Sequence, residues 1–284
     1  LSSGLKPLLA IMIKYLVLLM LCLAPGLASA TITSVTTSPA SVAVPVANLR
    51  AQPAGKRDRQ LLWGEGFDVL ERRDGWAFGV AQRDGYVGYV EETVLAPVQT
   101  ATHLISVRAT HLYPTESFKA EEVTSLSFGS RVRVVDERHK FMEIATGDGT
   151  ETGFVPKAHV RPIERPFSDP VTIAQLFFGT PYLWGGNSAF GIDCSGLAQA
   201  GFLACGLACP GDSDMQTELG VAATGGYQRG DLLFWKGHVA LCVDHEVLIH
   251  ANAHHMAVSY EPIERAISRI KAQGDGPVIA HRRL

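Results

Sequence analysis

Gly179-Thr-Pro-Tyr-Leu-Trp-Gly-Gly-Asn-Ser-Ala-Phe-Gly-Ile-Asp-Cys-Ser-Gly-Leu197 decides how the last third of this chain is read. A glycine-rich, aromatic loop delivers one cysteine, Cys194, to the start of an apolar run, Leu197 to Leu207, that reads as a helix. A helix N-terminus offers unpaired N–H groups and a positive dipole end, so this position is expected to favour thiolate over thiol. A thiolate is the nucleophile of cysteine hydrolases. Two later histidines, His238 and His250, are candidates for its base and the orienting partner.

Those histidines flank Asp244-His245-Glu246, His238 six residues before Asp244 and His250 six after. A hairpin centred on Asp244 would bring the two imidazoles opposite each other on one sheet face, because side chains alternate with period two. A one-residue slip would separate them. Around them the pattern predicts helices over Val171 to Phe178 and Cys194 to Leu207. Strands are predicted over Asp231 to Trp235, His238 to Val243, Glu246 to Ala251 and Met256 to Tyr260. A helix over Ile263 to Ala272 and a strand over Val278 to His281 complete an α+β domain spanning 166–284.

Upstream lies an internal repeat. Leu62 to Val69 resembles Ser127 to Val134, Trp76 matches Phe141, and Gly88-Tyr89-Val90 matches Gly153-Phe154-Val155, all 65 residues apart. Short alternating strands and turns such as Arg73-Asp74-Gly75 give each copy the pattern of a small β-barrel. The boundaries are expected at 44–98 and 101–165, with the Thr-, Ser- and Pro-rich segment 31–43 as a linker. The paired aromatics are read chiefly as barrel core.

The first thirty residues read as an export signal. Lys6 and Lys14 precede the apolar run Tyr15 to Ala24, Pro25 and Gly26 break it, and Ala28-Ser29-Ala30 fits a cleavage site. The expected location is therefore periplasmic or extracellular, or cytoplasmic if the leader is a start-site artefact, since the chain opens on Leu1 and Met12 is an alternative start. The run is short for a membrane span, and Cys22 follows Leu21 rather than a small residue, so no stable membrane anchor is expected. The net charge of −3 argues against nucleic acid as a partner. A bridge between Cys205 and Cys209 is conceivable, with small buried thiols as the blander reading. His254 and His255 invite a metal reading with His250, but no acidic or cysteine partner is seen to complete the set, and neither metal nor cofactor is expected.

Five motifs in order, Pro181-Tyr-Leu-Trp-Gly-Gly186, Asp193-Cys194-Ser195-Gly196, Arg229-Gly-Asp231-Leu, Gly237-His238-Val239 and Ile249-His250-Ala251, make residues 179–284 resemble the NlpC/P60 family of cysteine peptidases. The repeat resembles a tandem pair of bacterial SH3-like domains, most clearly in residues 74–80 and 85–90. The resemblance implies two small all-β barrels before a permuted papain-like α+β domain. It implies Cys194 as nucleophile, His238 as base, His250 as orienting third residue and Tyr182 near the oxyanion site. Asp231 is read as satisfying a turn.

The run His250-Ala-Asn-Ala-His-His-Met-Ala-Val258 resembles a subgroup that cleaves γ-D-glutamyl–diamino acid bonds in murein peptides with a free N-terminal L-Ala. For that subgroup the resemblance implies substrate contacts from Asp193, Trp184 and Ser195, and an acid after the nucleophile helix, Asp212, with Asp214 as a rival. It also implies an acid and a tyrosine from the first barrel, matched here by Glu65 and Tyr86, with Tyr89 a rival. The implied partner is a murein peptide, with peptidoglycan as a further one.

Overall fold

The computed structural model describes residues 37–284; the export signal and the first part of the expected linker lie outside them. Among the described residues no helix is long and apolar enough to cross a membrane. The first unit comprises β1 (Ser38–Val42), β2 (Val46–Arg50), β3 (Arg57–Leu62), β4 (Gly66–Arg73), β5 (Trp76–Ala81), β6 (Val87–Glu91) and β7 (Leu95–Pro97). They form one sheet in the order β3-β2-β6-β5-β4-β1-β7. Alternation decides its interior: Ala47 and Leu49 of β2, Phe67 and Val69 of β4 and Ala77 of β5 point inward. The linker expectation fails at its end. Pro39-Ala40-Ser41-Val42 is a strand, pairing with β4 and β7, and Ala40 and Val42 are buried in the barrel. A Pro at a strand start, donating nothing, is compatible with this place.

The second unit holds β8 (His103–Ile105), β9 (Ala109–Leu112), β10 (Thr124–Ser127), β11 (Arg131–Val132), β12 (Val134–Glu137), β13 (Phe141–Thr146), β14 (Glu151–Pro156) and β15 (Val160–Pro162). They lie in three small sheets around Ile105, Leu126, Ile144 and Val155. The 65-residue spacing reappears as structure: β5 and β13, the single 3-10 turns at Glu92–Val94 and Lys157–His159, and β7 and β15 recur at that offset.

The third unit begins with α1 (Pro170–Leu176), capped by the Asp169 carboxylate on the Val171 N–H at 2.9 Å. A short pair, β16 (Asn187–Ser188) and β17 (Gly191–Ile192), leads into α2 (Cys194–Ala204). Then come α3 (Ser213–Gln216), β18 (Val221–Ala222), β19 (Leu232–Trp235), β20 (His238–Cys242), β21 (Val247–Asn252), β22 (Ala257–Pro262), α4 (Ile263–Gln273) and β23 (Ala280–Arg283). The main sheet runs β18-β23-β19-β20-β21-β22. Period two splits β19 between two cores: Leu232 and Phe234 pack with α1 and α2, Leu233 and Trp235 with α4. α2 is buried along almost its whole length, which holds its first residue, Cys194, at a fixed place over the sheet. Asp231 anchors the last strand as well as the turn read from the sequence. It accepts from Gln228 N–H, His281 Nε2 and the Arg283 guanidinium.

The three units interlock. Phe128 of the second unit packs on Phe167 and Phe177 of the third. Gly64, at φ +73°, lets the first unit lie against the second: a Cβ there would stand 1.9 Å from the Arg131 carbonyl oxygen. Gly64→Ala is therefore expected to lower the thermal midpoint, at a cost above the roughly 1 kcal/mol typical of an incompatible backbone. An unchanged midpoint would show that the two units do not rest on this contact.

Candidate active site

The cap of α2 builds the site. Asp193 is its N-cap, and its carboxylate accepts from Gly196 N–H at 2.6 Å and Gly185 N–H at 2.9 Å. It also accepts from the Ser195 hydroxyl at 3.2 Å and from Arg59 Nη1 at 3.0 Å. Arg59 sits on β3 of the first unit and is 1% exposed. Its Nη1 also donates to Ser195 Oγ at 3.1 Å. Asp193 and Ser195, expected to face substrate, instead spend their side chains on this internal network. The reason is the cap itself, which turns the Asp193 carboxylate back onto the helix N–H groups.

The Gly-rich loop is laid along β3. Arg57 donates twice to the Trp184 carbonyl, at 3.0 and 2.7 Å. Gln60 and Asn187 exchange bonds, Gln60 N–H to Asn187 Oδ1 at 3.3 Å and Asn187 N–H to Gln60 Oε1 at 3.2 Å. Gly185, at φ +69°, is required: a Cβ would meet the Asp58 carbonyl oxygen at 2.5 Å. The Trp184 indole itself is 70% exposed and open to a ligand. Tyr182 is held by its N–H on Met256 O at 2.9 Å. It bridges Ile192, two residues before the nucleophile, and packs on the core that holds Cys194; burial, then the Cys194 and Asp193 charges, push its hydroxyl above the usual tyrosine range.

Cys194 Sγ lies 4.0 Å from the Gly237 carbonyl oxygen, immediately before His238. The two histidines are brought together, but not through the expected register. Leu241 pairs with Ile249 and Cys242 with Leu248, so Ala240, not His238, lies across from His250. The shift is by two positions along the strand, which preserves the face, and the diagonal is within reach of two rings. His238 Nε2 and His250 Nδ1 stand 2.9 Å apart. The Asp244 carboxylate accepts from Glu246 and Val247 N–H groups, moving the turn centre one residue on.

The helix N-terminus expected to favour the thiolate meets an opposing effect here. Burial, then the Asp193 carboxylate, push the Cys194 thiol up to about 12, against the backbone N–H groups of Val239 and Ser195 and the Arg59 charge. Burial, then His250, pull His238 down to about 3. Burial thus disfavours charge on both groups.

Asp212 and Tyr86 meet from different units. Burial, then Asp212 and Asp58, raise the Tyr86 hydroxyl, which hydrogen-bonds the Asp212 carboxylate. Burial raises Asp212 and Arg59 opposes it. Gly211 passes over both: a Cβ there would lie 3.1 Å from the Tyr86 ring and 3.4 Å from Arg59 Nε. Asp214 caps nothing across the site; its carboxylate accepts from Met215 N–H at 2.9 Å. Glu65 does not join them. It is 6% exposed, with Arg83 Nη1 3.0 Å from both its oxygens and Leu62 N–H donating to it. Its sequence neighbourhood gave no sign that Arg83, 18 positions on, would occupy it.

Sequence reasoning missed Arg57, Asp58, Arg59 and Gln60, a polar run in a strand that alternation alone would leave to solvent. The signal was there in its excess of charge on a strand beside an apolar one, Gln60-Leu61-Leu62. It also missed Glu261. His250, His255 and Glu261 place one ligand atom each within 4.8 Å of one another, so an acidic partner does complete the set thought to lack one. Arg269 holds that carboxylate with two bonds, 2.9 Å from Nε and 2.7 Å from Nη2, which puts a fixed positive charge where a cation would bind. All four described thiols are free, Cys205 and Cys209 included.

A buried cysteine at a helix N-terminus beside a coupled histidine pair is the site of a cysteine hydrolase. Residues 179–273 match the NlpC/P60 family and residues 49–95 the bacterial dipeptidyl-peptidase Sh3 domain. The chain thus carries an NlpC/P60 domain, the domain of a family of cysteine peptidases, with a bacterial Sh3 domain in front of it. A γ-D-glutamyl-L-lysine dipeptidyl-peptidase of Bacillus cereus is 26% identical over 247 residues, 74% of this chain and 72% of that protein. Dipeptidyl-peptidase 6 of Lysinibacillus sphaericus is 28% identical over 233 residues, 73% of this chain and 85% of that protein. The crystal structure of an NlpC/P60 family protein from Bacillus cereus superposes with a TM-score of 0.73 at 21% identity, covering 87% of this chain and 99% of that one, and shows the same fold.

Two outcomes follow from this geometry. Arg59→Met leaves Asp193 buried without its partner, and is expected to cost about 3–5 kcal/mol of stability in a denaturant titration; a change under about 1 kcal/mol would make the contact peripheral. Iodoacetamide inactivation, which reads thiolate, is expected to accelerate steadily as pH rises through neutrality, because the thiol is raised toward 12. A rate independent of pH from about 5 to 8 would show a preformed ion pair.

Proposed function

We propose that the protein hydrolyses the γ-D-glutamyl–diamino acid bond of murein peptides bearing a free N-terminal L-Ala, releasing L-Ala-γ-D-Glu. The observation that carries this reading is that Tyr86, from the first unit, and Asp212, after the nucleophile helix, are both partly buried and interact across the two units. A carboxylate and a phenol so placed suit an α-ammonium, with Asp58 adding negative charge to the same tyrosine. An acylated N-terminus would leave the buried acid unpaired, which is a strong basis for rejection. The names of the relatives, γ-D-glutamyl-L-lysine dipeptidyl-peptidase and dipeptidyl-peptidase 6, support the bond assigned.

In this scheme His238 takes the Cys194 proton as the thiol approaches the γ-D-Glu carbonyl carbon. The S–C bond forms, and the oxyanion is met by the Cys194 backbone N–H and the Tyr182 hydroxyl. Protonated His238 gives the proton to the leaving amine and the C–N bond breaks. Water, deprotonated by His238, then cleaves the thioester and restores the thiol. Burial disfavours charge on both groups, so this scheme places proton transfer in the attack step.

We read the second β unit as another SH3-like domain, on the recurrence of its strands at 65 residues, and the catalytic unit as a permuted papain-like fold, on its helix-before-sheet order. The leader motif supports action on murein peptides in the periplasm or outside the cell.

The test is a pair of assays with L-Ala-γ-D-Glu-diaminopimelate and its N-acetylated form. Acetylation is expected to lower kcat/KM on the order of 100-fold or more, and Asp212→Asn to narrow that gap. Equal cleavage of both peptides would make the protein an endopeptidase on intact stem peptides, with the β units as wall anchors.

A further inference from the structure

Behind the two histidines stand Glu261 of β22 and Arg269 of α4, neither used by the chemistry above. His250 is fully buried, at 0% exposed, and Glu261 is 4% exposed. His250 Nε2 lies 3.2 Å from Glu261 Oε2. Arg269 grips the same carboxylate from its far side, Nε to Oε1 at 2.9 Å and Nη2 to Oε2 at 2.7 Å. Burial opposes ionisation, but the Arg269 bonds, then His250, hold Glu261 well below the usual carboxylate range. The strand register explains the meeting: Ser259 pairs with His250 and Glu261 with Leu248, so Glu261 is the diagonal neighbour of His250 on the same face.

The 2.9 Å contact between His238 Nε2 and His250 Nδ1 is compatible with two proton arrangements. In one, His238 donates from Nε2 and its Nδ1 keeps a lone pair. In the other, His250 donates from Nδ1 and His238 carries its proton on Nδ1. Only the first leaves His238 a nitrogen able to accept a thiol proton. The histidine pair alone does not choose between them.

We propose that Glu261, fixed by Arg269, is a positioning residue that makes this choice. An ionised carboxylate offers only lone pairs, and at 3.2 Å it repels a bare ring nitrogen, so it favours a proton on His250 Nε2. His250 Nδ1 is then a lone pair, His238 must donate to it from Nε2, and His238 Nδ1 is left bare for Cys194. The order Arg269, Glu261, His250, His238, Cys194 thus passes an instruction about tautomer from a helix on one side of the sheet to the nucleophile on the other. Burial keeps water from supplying a substitute acceptor. The inference rests on His238 being the base, and concerns the resting enzyme rather than the substrate.

The test uses the full chain labelled with 15N-histidine, unliganded, together with Glu261→Gln and Glu261→Leu. In the wild-type protein both imidazoles are expected to carry the proton on Nε2. In Glu261→Gln the carbonyl oxygen is drawn to the position flanked by two donors, so the tautomer persists and kcat falls less than about tenfold. In Glu261→Leu the acceptor is gone, His250 shifts toward Nδ1–H, and kcat falls about 10- to 100-fold with KM little changed. Wild-type His250 protonated on Nδ1 would overturn the proposal. So would a Leu variant with wild-type kcat, or Gln and Leu variants equally impaired, which would mark a structural role. If the Leu variant does not fold, the wild-type spectrum and the Gln variant decide. Because the spectra need no substrate, they stand whether or not the peptide assigned above is cleaved.

Discussion

The Asp193 carboxylate is the point at which the molecule is tied together. It ends the Gly-rich loop through Gly185 N–H, starts the nucleophile helix through Gly196 N–H, and meets Arg59 from another folding unit. A buried carboxylate is tolerable only when its lone pairs are met, and here four donors meet them. The consequence is that the first β unit is not an appendage. Its strand β3 supplies the cation that neutralises the cap, the arginine that holds the Trp184 carbonyl, and the amide that pairs with Asn187. Tyr86 comes with it. The candidate site is therefore bordered by two units, and a change in their docking alters both the cap and the Tyr86–Asp212 pair.

The same burial that fixes the site sets its protonation. Helix N–H groups and Arg59 favour a thiolate at Cys194, but loss of solvent and the nearby Asp193 outweigh them. Desolvation acts on His238 in the opposite sense and also favours the uncharged form. Burial thus acts against charge on nucleophile and base alike, which gives the hydrogen bonds behind the base a part in setting the proton's direction of travel. That gives the buried Glu261–Arg269 contact a reason beyond stability.

Much of this was legible in the chain. The motif glycines, Asp193-Cys194-Ser195 and the two histidines are local signals, and the helices and strands around them follow their apolar periodicity closely. Asp212 and Tyr86 could be singled out because each lies in a short recognisable run, and the fold brings the two together. What escaped depends on distance through space. Glu65 looks like a site acid until Arg83 closes on it inside the barrel. Arg59 looks like a surface charge until the Gly-rich loop covers it. The register of β20 and β21 is set by how Asp244 shapes its turn, a one-residue matter that alternation does not resolve. Ser38 to Val42 has linker composition, and becomes a strand because β4 and β7 leave an edge for it to fill.

The most direct measurement is a crystal structure of the Cys194→Ala protein with intact L-Ala-γ-D-Glu-diaminopimelate bound. The account requires the peptide's α-ammonium to lie against Asp212 and Tyr86, with the γ-D-Glu carbonyl carbon over the position of the missing sulfur and its oxygen toward Tyr182. A peptide bound with its N-terminus in solvent, away from the first β unit, would contradict a site shared between the two units.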